Sequence, residues 1–131
     1  MGLSSADVCR LAGVTYRQLD YWHRMGLYPD QPRPRGSGIA RTWSPRHVAV
    51  TALWGCLYRL GADYSTAVTL AEWAAELSGP WEGLLVVTPS PAAAHRQLGP
   101  VPELDGGAGW VIDLSWCWGR VPAVQDELAL V

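Results

Sequence analysis

A short stretch near the N-terminus, Tyr16-Arg17-Gln18-Leu19-Asp20-Tyr21-Trp22 followed by Arg24, concentrates side chains that recognise patterned hydrogen-bonding edges. A guanidinium forks onto two acceptors, and a carboxamide presents a donor beside an acceptor. Arg17 therefore suits a guanine edge and Gln18 an adenine edge. Tyr16 can touch a thymine methyl group or a phosphate. Asp20 can orient Arg17 or Arg24, or accept from a cytosine amino group. A second basic group, Arg33, Arg35 and Arg41, lies among prolines and glycines. Guanidiniums on such a loop meet phosphates, contacts that fix position without reading sequence. Arg24 is a further residue of this kind. The chemistry on offer is recognition of a polyanion.

Bond-making chemistry finds little support. The chain carries no G-x-S-x-G, P-loop or H-E-x-x-H motif. His23, His47 and His95 have no metal-ligand spacing with one another or with a carboxylate cluster, and read as solvated or capping residues. Cys9, Cys56 and Cys117 stand far apart with no C-x-x-C pair, so they read as buried thiols and not as a disulfide framework or a zinc site. The expectation is a non-enzyme without cofactor or metal.

The elements that must position these residues fit within 131 residues, of which 49% are hydrophobic and 17% charged, enough for one compact domain or a small domain with an appendage. No apolar run approaches the roughly 18 residues of a membrane span, and the opening Met1-Gly2-Leu3-Ser4 lacks a basic region followed by an apolar stretch. These features predict a cytoplasmic protein without membrane contact. All ten basic residues are Arg, the usage of GC-rich coding and hence of a bacterial or phage source.

The formal net charge of −2 hides an asymmetry. Residues 1–60 hold eight Arg against three Asp, a net +5, whereas the remainder holds two Arg against nine carboxylates, a net −7. The first half is built for an anionic partner; the second, a solvated acidic face, would repel it.

Local signals divide the first half into helices. Ser4 or Ser5 caps a helix reaching about Leu11, Gly13 supplies the left-handed turn, and Thr15 caps a second helix from Tyr16 to about Met25. Leu19, Trp22 and Met25 face inward, leaving Tyr16, Arg17, Asp20 and Arg24 on other faces. Gly26 ends that helix. Residues 30–38 form an Arg-bearing loop, and residues 39–43 a short strand, together a β-hairpin with a basic tip. Ser44-Pro45 starts a third helix running to about Leu60, with Val48, Leu53, Leu57 and Leu60 as its apolar stripe. Gly61 stops it, and Asp63 or Ser65 starts a fourth that ends near Ser78.

Taken in order, helix, turn, helix, basic hairpin, helix, helix over residues 3–78 resembles the MerR family. The matching blocks are Ala12-Gly13-Val14, the stretch from Tyr16 to Trp22, Gly26-Leu27 with Pro29, Gly38 with Arg41-Thr42-Trp43-Ser44, and Tyr58-Arg59-Leu60-Gly61. The resemblance implies a winged helix-turn-helix that binds double-stranded DNA, with the second helix in the major groove and the hairpin as a wing on the backbone or minor groove. Thr15, Tyr16, Arg17, Gln18, Asp20, Tyr21, Arg24, Arg33, Arg35 and Arg41 are the DNA-binding residues it implies, Tyr21 matching a backbone-contact position. Asp20 and Trp22 depart from the usual Arg and Tyr, in the manner of an actinobacterial or phage-like subgroup.

The expected fold class is thus mainly α with small β elements: a winged helix-turn-helix of four helices and a hairpin over residues 1–78, followed by a small acidic αβ tail over residues 79–131. In the tail, residues 84–88 read as a strand, 91–98 as a small helix, 110–116 as an alternating strand and 122–130 as a last helix. Trp22, Trp43 and Trp54 read as core. Trp110, Trp116 and Trp118 read as an apolar sheet face ahead of a ligand pocket or partner surface. No sustained heptads follow Ser78, so the coiled-coil dimer of many such regulators is not predicted. The leading function is a transcription regulator on double-stranded DNA, as a homodimer or a repeat-bound array, with RNA polymerase or another regulator as a partner of the tail. An excisionase-like architectural factor and a protein-interaction module working through the tail are the rivals.

Overall fold

The computed structural model describes residues 2–32, 41–89, 92–97 and 109–122. Four helices come first: α1 (Ser5–Ala12), α2 (Tyr16–Arg24), α3 (Pro45–Arg59) and α4 (Tyr64–Glu76). Strands β1 (Leu84–Pro89), β2 (Ala92–Gln97) and β3 (Trp110–Asp113) follow, then a short helix α5 (Leu114–Trp118). The chain is mainly α with a small antiparallel sheet of order β2-β1-β3.

Each helix of the first half begins where its capping chemistry dictates. Ser4 Oγ accepts from the Asp7 N–H while the Asp7 carboxylate accepts from the Ser4 N–H, both at 3.1 Å. Two otherwise orphaned donors are satisfied reciprocally, and the cap is Ser4 and not Ser5. Gly13 takes φ 76°, a left-handed conformation open to glycine, and turns the chain into α2. At α3, Ser44 N–H donates to His47 Nδ1 at 3.1 Å, with Pro45 in the first turn. Asp63 caps α4 by accepting from Thr66 N–H at 3.0 Å.

Helix α3 is the axle of the molecule. It packs against α1, α4 and α5, and is buried on nearly every side from His47 to Gly55. It therefore has no single apolar stripe. Val48, Leu53 and Leu57 are buried as expected, but Leu60 lies at the helix end, 44% exposed. One hydrophobic core joins the four-helix first part of the chain, the head, and the described tail: Leu19, Trp43, Leu53 and Trp54 belong to the same cluster as Trp81, Leu85, Ile112, Leu114 and Cys117.

Two tail expectations are corrected. Residues 92–97 form a strand and not a small helix: Ala92–Gln97 pairs along its full length with β1, from Leu84↔Gln97 to Pro89↔Ala92. The alanines favour helix locally, but β1 is a central strand buried at Leu85, Val86 and Val87, and both of its edges need backbone partners. The alternating segment 110–116 is a strand only as far as Asp113. There the Asp113 carboxylate accepts from the Trp116 N–H at 3.1 Å and starts α5, so Leu114 is buried and Trp116 is 41% exposed. The wing tip, residues 33–40, and nearly all of the expected last helix lie outside the described residues. Of the expected return strand, residues 41–43 are described, and Trp43 pairs with Leu3 through reciprocal backbone bonds of 2.8 and 2.9 Å.

The junction of head and tail has its own anchors. Arg46 reaches from α3 to the end of α4 and donates to the carbonyls of Ala74 and Leu77, groups that the helix leaves unpaired. Trp81 donates to the Leu77 carbonyl at 3.2 Å and packs against Trp118, with ring centroids 5.8 Å apart. Gly79 lies so close to the Trp118 ring that a Cβ at this position would overlap it.

Candidate nucleic-acid interface

Helix α2 begins at a second capping box. Gln18 N–H donates to Thr15 Oγ1 at 3.1 Å, and Thr15 N–H donates to the Gln18 carboxamide oxygen at 2.9 Å. Leu19, Trp22 and His23 fall on its buried side. Thr15, Tyr16, Arg17, Tyr21 and Arg24 are exposed, and the last four line the outward surface of the helix. At its far end the Tyr64 hydroxyl donates to the Met25 carbonyl at 2.7 Å, so α4 anchors the C-terminus of α2.

The expected site residues fall into three groups. Tyr16, Arg17 and Tyr21 are displayed to solvent, the two tyrosines at 59% and 53% exposure. Gln18 and Thr15 hold the helix start, and the Gln18 carboxamide oxygen is already committed, leaving its NH2 group for other contacts. Asp20, Arg24 and Arg41 belong to a polar network at the flank of α2. Arg33 and Arg35 lie outside the described residues.

That network turns on Arg41, whose side chain is only 10% exposed. Its guanidinium pairs with Asp20 at 3.1 Å, donates to the Tyr16 hydroxyl at 2.7 Å and meets His23 Nδ1 at 3.0 Å. It also lies over the rings of Tyr16 and Trp43, at 5.4 and 5.8 Å from their centroids. Such a guanidinium is a clamp on α2, with little of its charge left for a phosphate. Asp20 completes the arrangement by accepting from Arg24 Nε at 2.9 Å. The Arg24 hydrogen bond, aided by both guanidinium charges, holds the Asp20 carboxyl below the usual carboxylate range.

His23 is the residue that sequence reasoning missed. It was expected to be solvated or capping, yet it is 1% exposed. Its Nε2 donates to the Pro32 carbonyl at 2.6 Å, which leaves Nδ1 bare to accept from Arg41. Pro32 and Arg41 flank the wing residues 33–40 on either side. One imidazole on α2 therefore ties down both ends of that segment. Burial, reinforced by the Arg41 charge and opposed by the Pro32 bond, lowers the His23 pKa and favours this neutral tautomer. The signal in the sequence was its spacing: 19, 22 and 23 form an i, i+3, i+4 stripe. His47, in contrast, does cap its helix while also being buried, and its Nε2 meets Asp30 at 3.1 Å. His23, Tyr28, Trp43 and His47 pack edge to face, with centroid separations from 4.9 to 6.0 Å.

The electrostatics are correspondingly narrower than the net charge of the first half. Arg41 and Arg46 are consumed internally. Arg10 makes only a loose, exposed pair with Asp7 at 3.6 Å, and Arg24 remains half exposed despite its bond to Asp20. Arg17 makes no ion pair among the described residues, which leaves its fork of donors free. Among those residues no group of three or more His, Cys, Asp or Glu could hold a metal ion, and no helix is long and apolar enough to cross a membrane.

Uncharacterized HTH-type transcriptional regulators of Mycobacterium bovis and of two strains of Mycobacterium tuberculosis are 41% identical to this chain over 51 residues. The similarity covers 38% of this chain and 23% of each relative, so the chain spans about a quarter of their length. No solved structure matches. The family described as "MerR HTH family regulatory protein" matches residues 3–65, from the segment before α1 to the start of α4. Residues 3–65 are a helix-turn-helix domain of the MerR family.

Proposed function

We propose that this chain is a sequence-specific double-stranded DNA-binding transcription regulator whose helix α2 enters the major groove. The observation that carries the reading is the outward face of α2, where Tyr16, Arg17, Tyr21 and Arg24 stand exposed on a helix fixed at both ends and along its flank. An α-helix fits the major groove, and the Arg17 guanidinium, which makes no ion pair among the described residues, can fork onto guanine O6 and N7. Arg17 reads bases; Tyr16 and Tyr21 contact a thymine methyl group or phosphates; Arg24 grips the backbone.

The wing is the second part of the proposal. Arg33 and Arg35 meet the backbone or minor groove, while Arg41 acts one step back by holding the wing base to α2. Gln18 serves first as a cap, because using its carboxamide on adenine would break the bond to Thr15. Residues 1–78 act as the DNA-binding head. The acidic region 79–131, which shares the core of the head, is the place from which RNA polymerase or another regulator would be engaged. Binding as a homodimer belongs to the same proposal.

Selection of duplexes from a random pool by the purified chain, followed by sequencing, tests it. The expected result is one short enriched motif, with half-sites about one helical turn apart if two copies bind. Recovery of an unenriched pool would refute sequence-specific binding.

A further inference from the structure

Leu60, Val111 and Trp116 are large apolar side chains left 44%, 37% and 41% exposed, and they come from three elements: the end of α3, β3 and α5. The fold gathers them. With the buried Ile112 they form the apolar wall of a groove of about 390 Å³, and Arg59 and Asp113 supply its charged groups. The groove lies where the central helix of the head meets the strand and helix of the tail. Its volume falls toward the lower end of the range that holds small molecules.

Arg59 lacks a counter-charge. It is exposed and makes no ion pair among the described residues, and its hydrogen bond there runs to the partly exposed Cys56 Sγ at 3.4 Å, a weak acceptor. Its guanidinium lies 6.0 Å from the Trp116 ring centroid, and that of Arg120 lies 5.1 Å from the same centroid. Two cations gathered on one indole repel each other and favour an anion beside the ring. Asp113 answers only part of this charge, and one of its carboxylate oxygens accepts from the Trp116 N–H at 3.1 Å. Two guanidiniums against one carboxylate leave a surplus of one positive charge. An occupant with a single negative charge balances it, whereas a second negative charge would meet Asp113.

We propose that this groove binds a small aromatic monocarboxylate, its ring against Leu60, Val111 and Trp116 and its carboxylate in the fork of Arg59. A guanidinium pairs with a carboxylate through two parallel N–H···O bonds, a geometry that a point charge does not supply. A flat ring suits an indole wall, and a rigid ligand loses less conformational freedom on binding than a flexible chain does. The occupant bridges α3 to β3 and α5, and so ties the head to the tail.

The test titrates the full chain with 2-naphthoate by calorimetry, beside 2-naphthalenemethanol as its neutral counterpart and 2,6-naphthalenedicarboxylate as the dianion. The monocarboxylate is expected to saturate one site with a Kd below about 1 mM. The alcohol should bind about tenfold or more weakly, and the dianion no more tightly than the monoanion. Arg59→Gln should weaken 2-naphthoate binding about tenfold or more, and Trp116→Ala about fivefold. Both side chains are exposed, so both variants should keep the wild-type melting temperature. Arg10→Gln, which removes an exposed arginine outside the groove lining, should bind as the wild type does. In the 1H–15N spectrum, the indole resonance that Trp116→Ala lacks should move on titration. Absence of saturable binding, equal affinity for acid and alcohol, tighter binding of the dianion, or an unmoved Trp116 indole would overturn the proposal. So would Arg59→Gln binding as tightly as the wild type, or Arg10→Gln losing as much affinity as Arg59→Gln.

Discussion

Replacing Arg41 by alanine separates two roles that a basic residue beside a helix-turn-helix can play. In the structure its guanidinium serves Asp20, Tyr16 and His23 at once and is 10% exposed. Asp20 would keep Arg24 as a partner, and the Tyr16 hydroxyl is near solvent, so the losses there are modest. His23 Nδ1 would be left buried without a donor, which costs about 1–3 kcal/mol. With the lost packing over Trp43, destabilisation of about 2–4 kcal/mol is expected, seen as a lower urea midpoint at unchanged m-value. On a selected duplex, measured where the variant is folded, the slope of log K against log salt should stay within a few tenths of the wild-type value. A residue that neutralises a phosphate contributes about 0.9 to that slope. Loss of about one unit of slope without loss of stability would refute the clamp and make Arg41 a direct backbone contact.

Three further outcomes follow from the same geometry. His23 is held neutral, with a folded pKa below its unfolded value of 6.5, so the unfolded chain takes up more protons between the two. Stability from this group is complete above about pH 6.5 and declines as pH falls below it. Urea titrations from pH 7 to 5 should show that decline in the wild-type chain and not in His23→Gln, and a flat wild-type profile would contradict the buried neutral tautomer. Gln18→Ala removes half of the α2 capping box and should lower stability by about 0.5–1 kcal/mol by thermal unfolding, against about 1 kcal/mol for Thr15→Ala. A change in sequence preference with unaltered stability would instead make Gln18 a pure base reader. Gly79→Ala drives a methyl group into the Trp118 ring and should cost about 1–3 kcal/mol, with increased fluorescence quenching by acrylamide as the tail tryptophans open to solvent. An unaffected spectrum and melting curve would contradict that packing.

The head was legible because its signals are local. Ser4, Gly13, Thr15, Ser44-Pro45, Gly61 and Asp63 mark helix boundaries through their own side chains or backbone freedom, and the helices begin and end there. The tail was less legible because its strands depend on partners. The Ala-rich segment 92–97 becomes a strand through pairing with β1, and Asp113 converts an alternating pattern into a helix cap. At the interface, residue types pointed to α2, but their division of labour was hidden in tertiary contacts. Nothing in the spacing from position 23 to 41 reveals that a histidine joins Pro32 and Arg41.

The central claim, that the outward face of α2 reads DNA, is tested most directly by Arg17→Ala. This exposed side chain has no ion pair among the described residues, so its removal should leave stability unchanged. Titrated against the selected duplex and its single-base variants at fixed salt, the variant should lose about 1–3 kcal/mol on the preferred sequence and lose discrimination at one guanine. Equal affinity and equal discrimination in wild type and Arg17→Ala would contradict the claim.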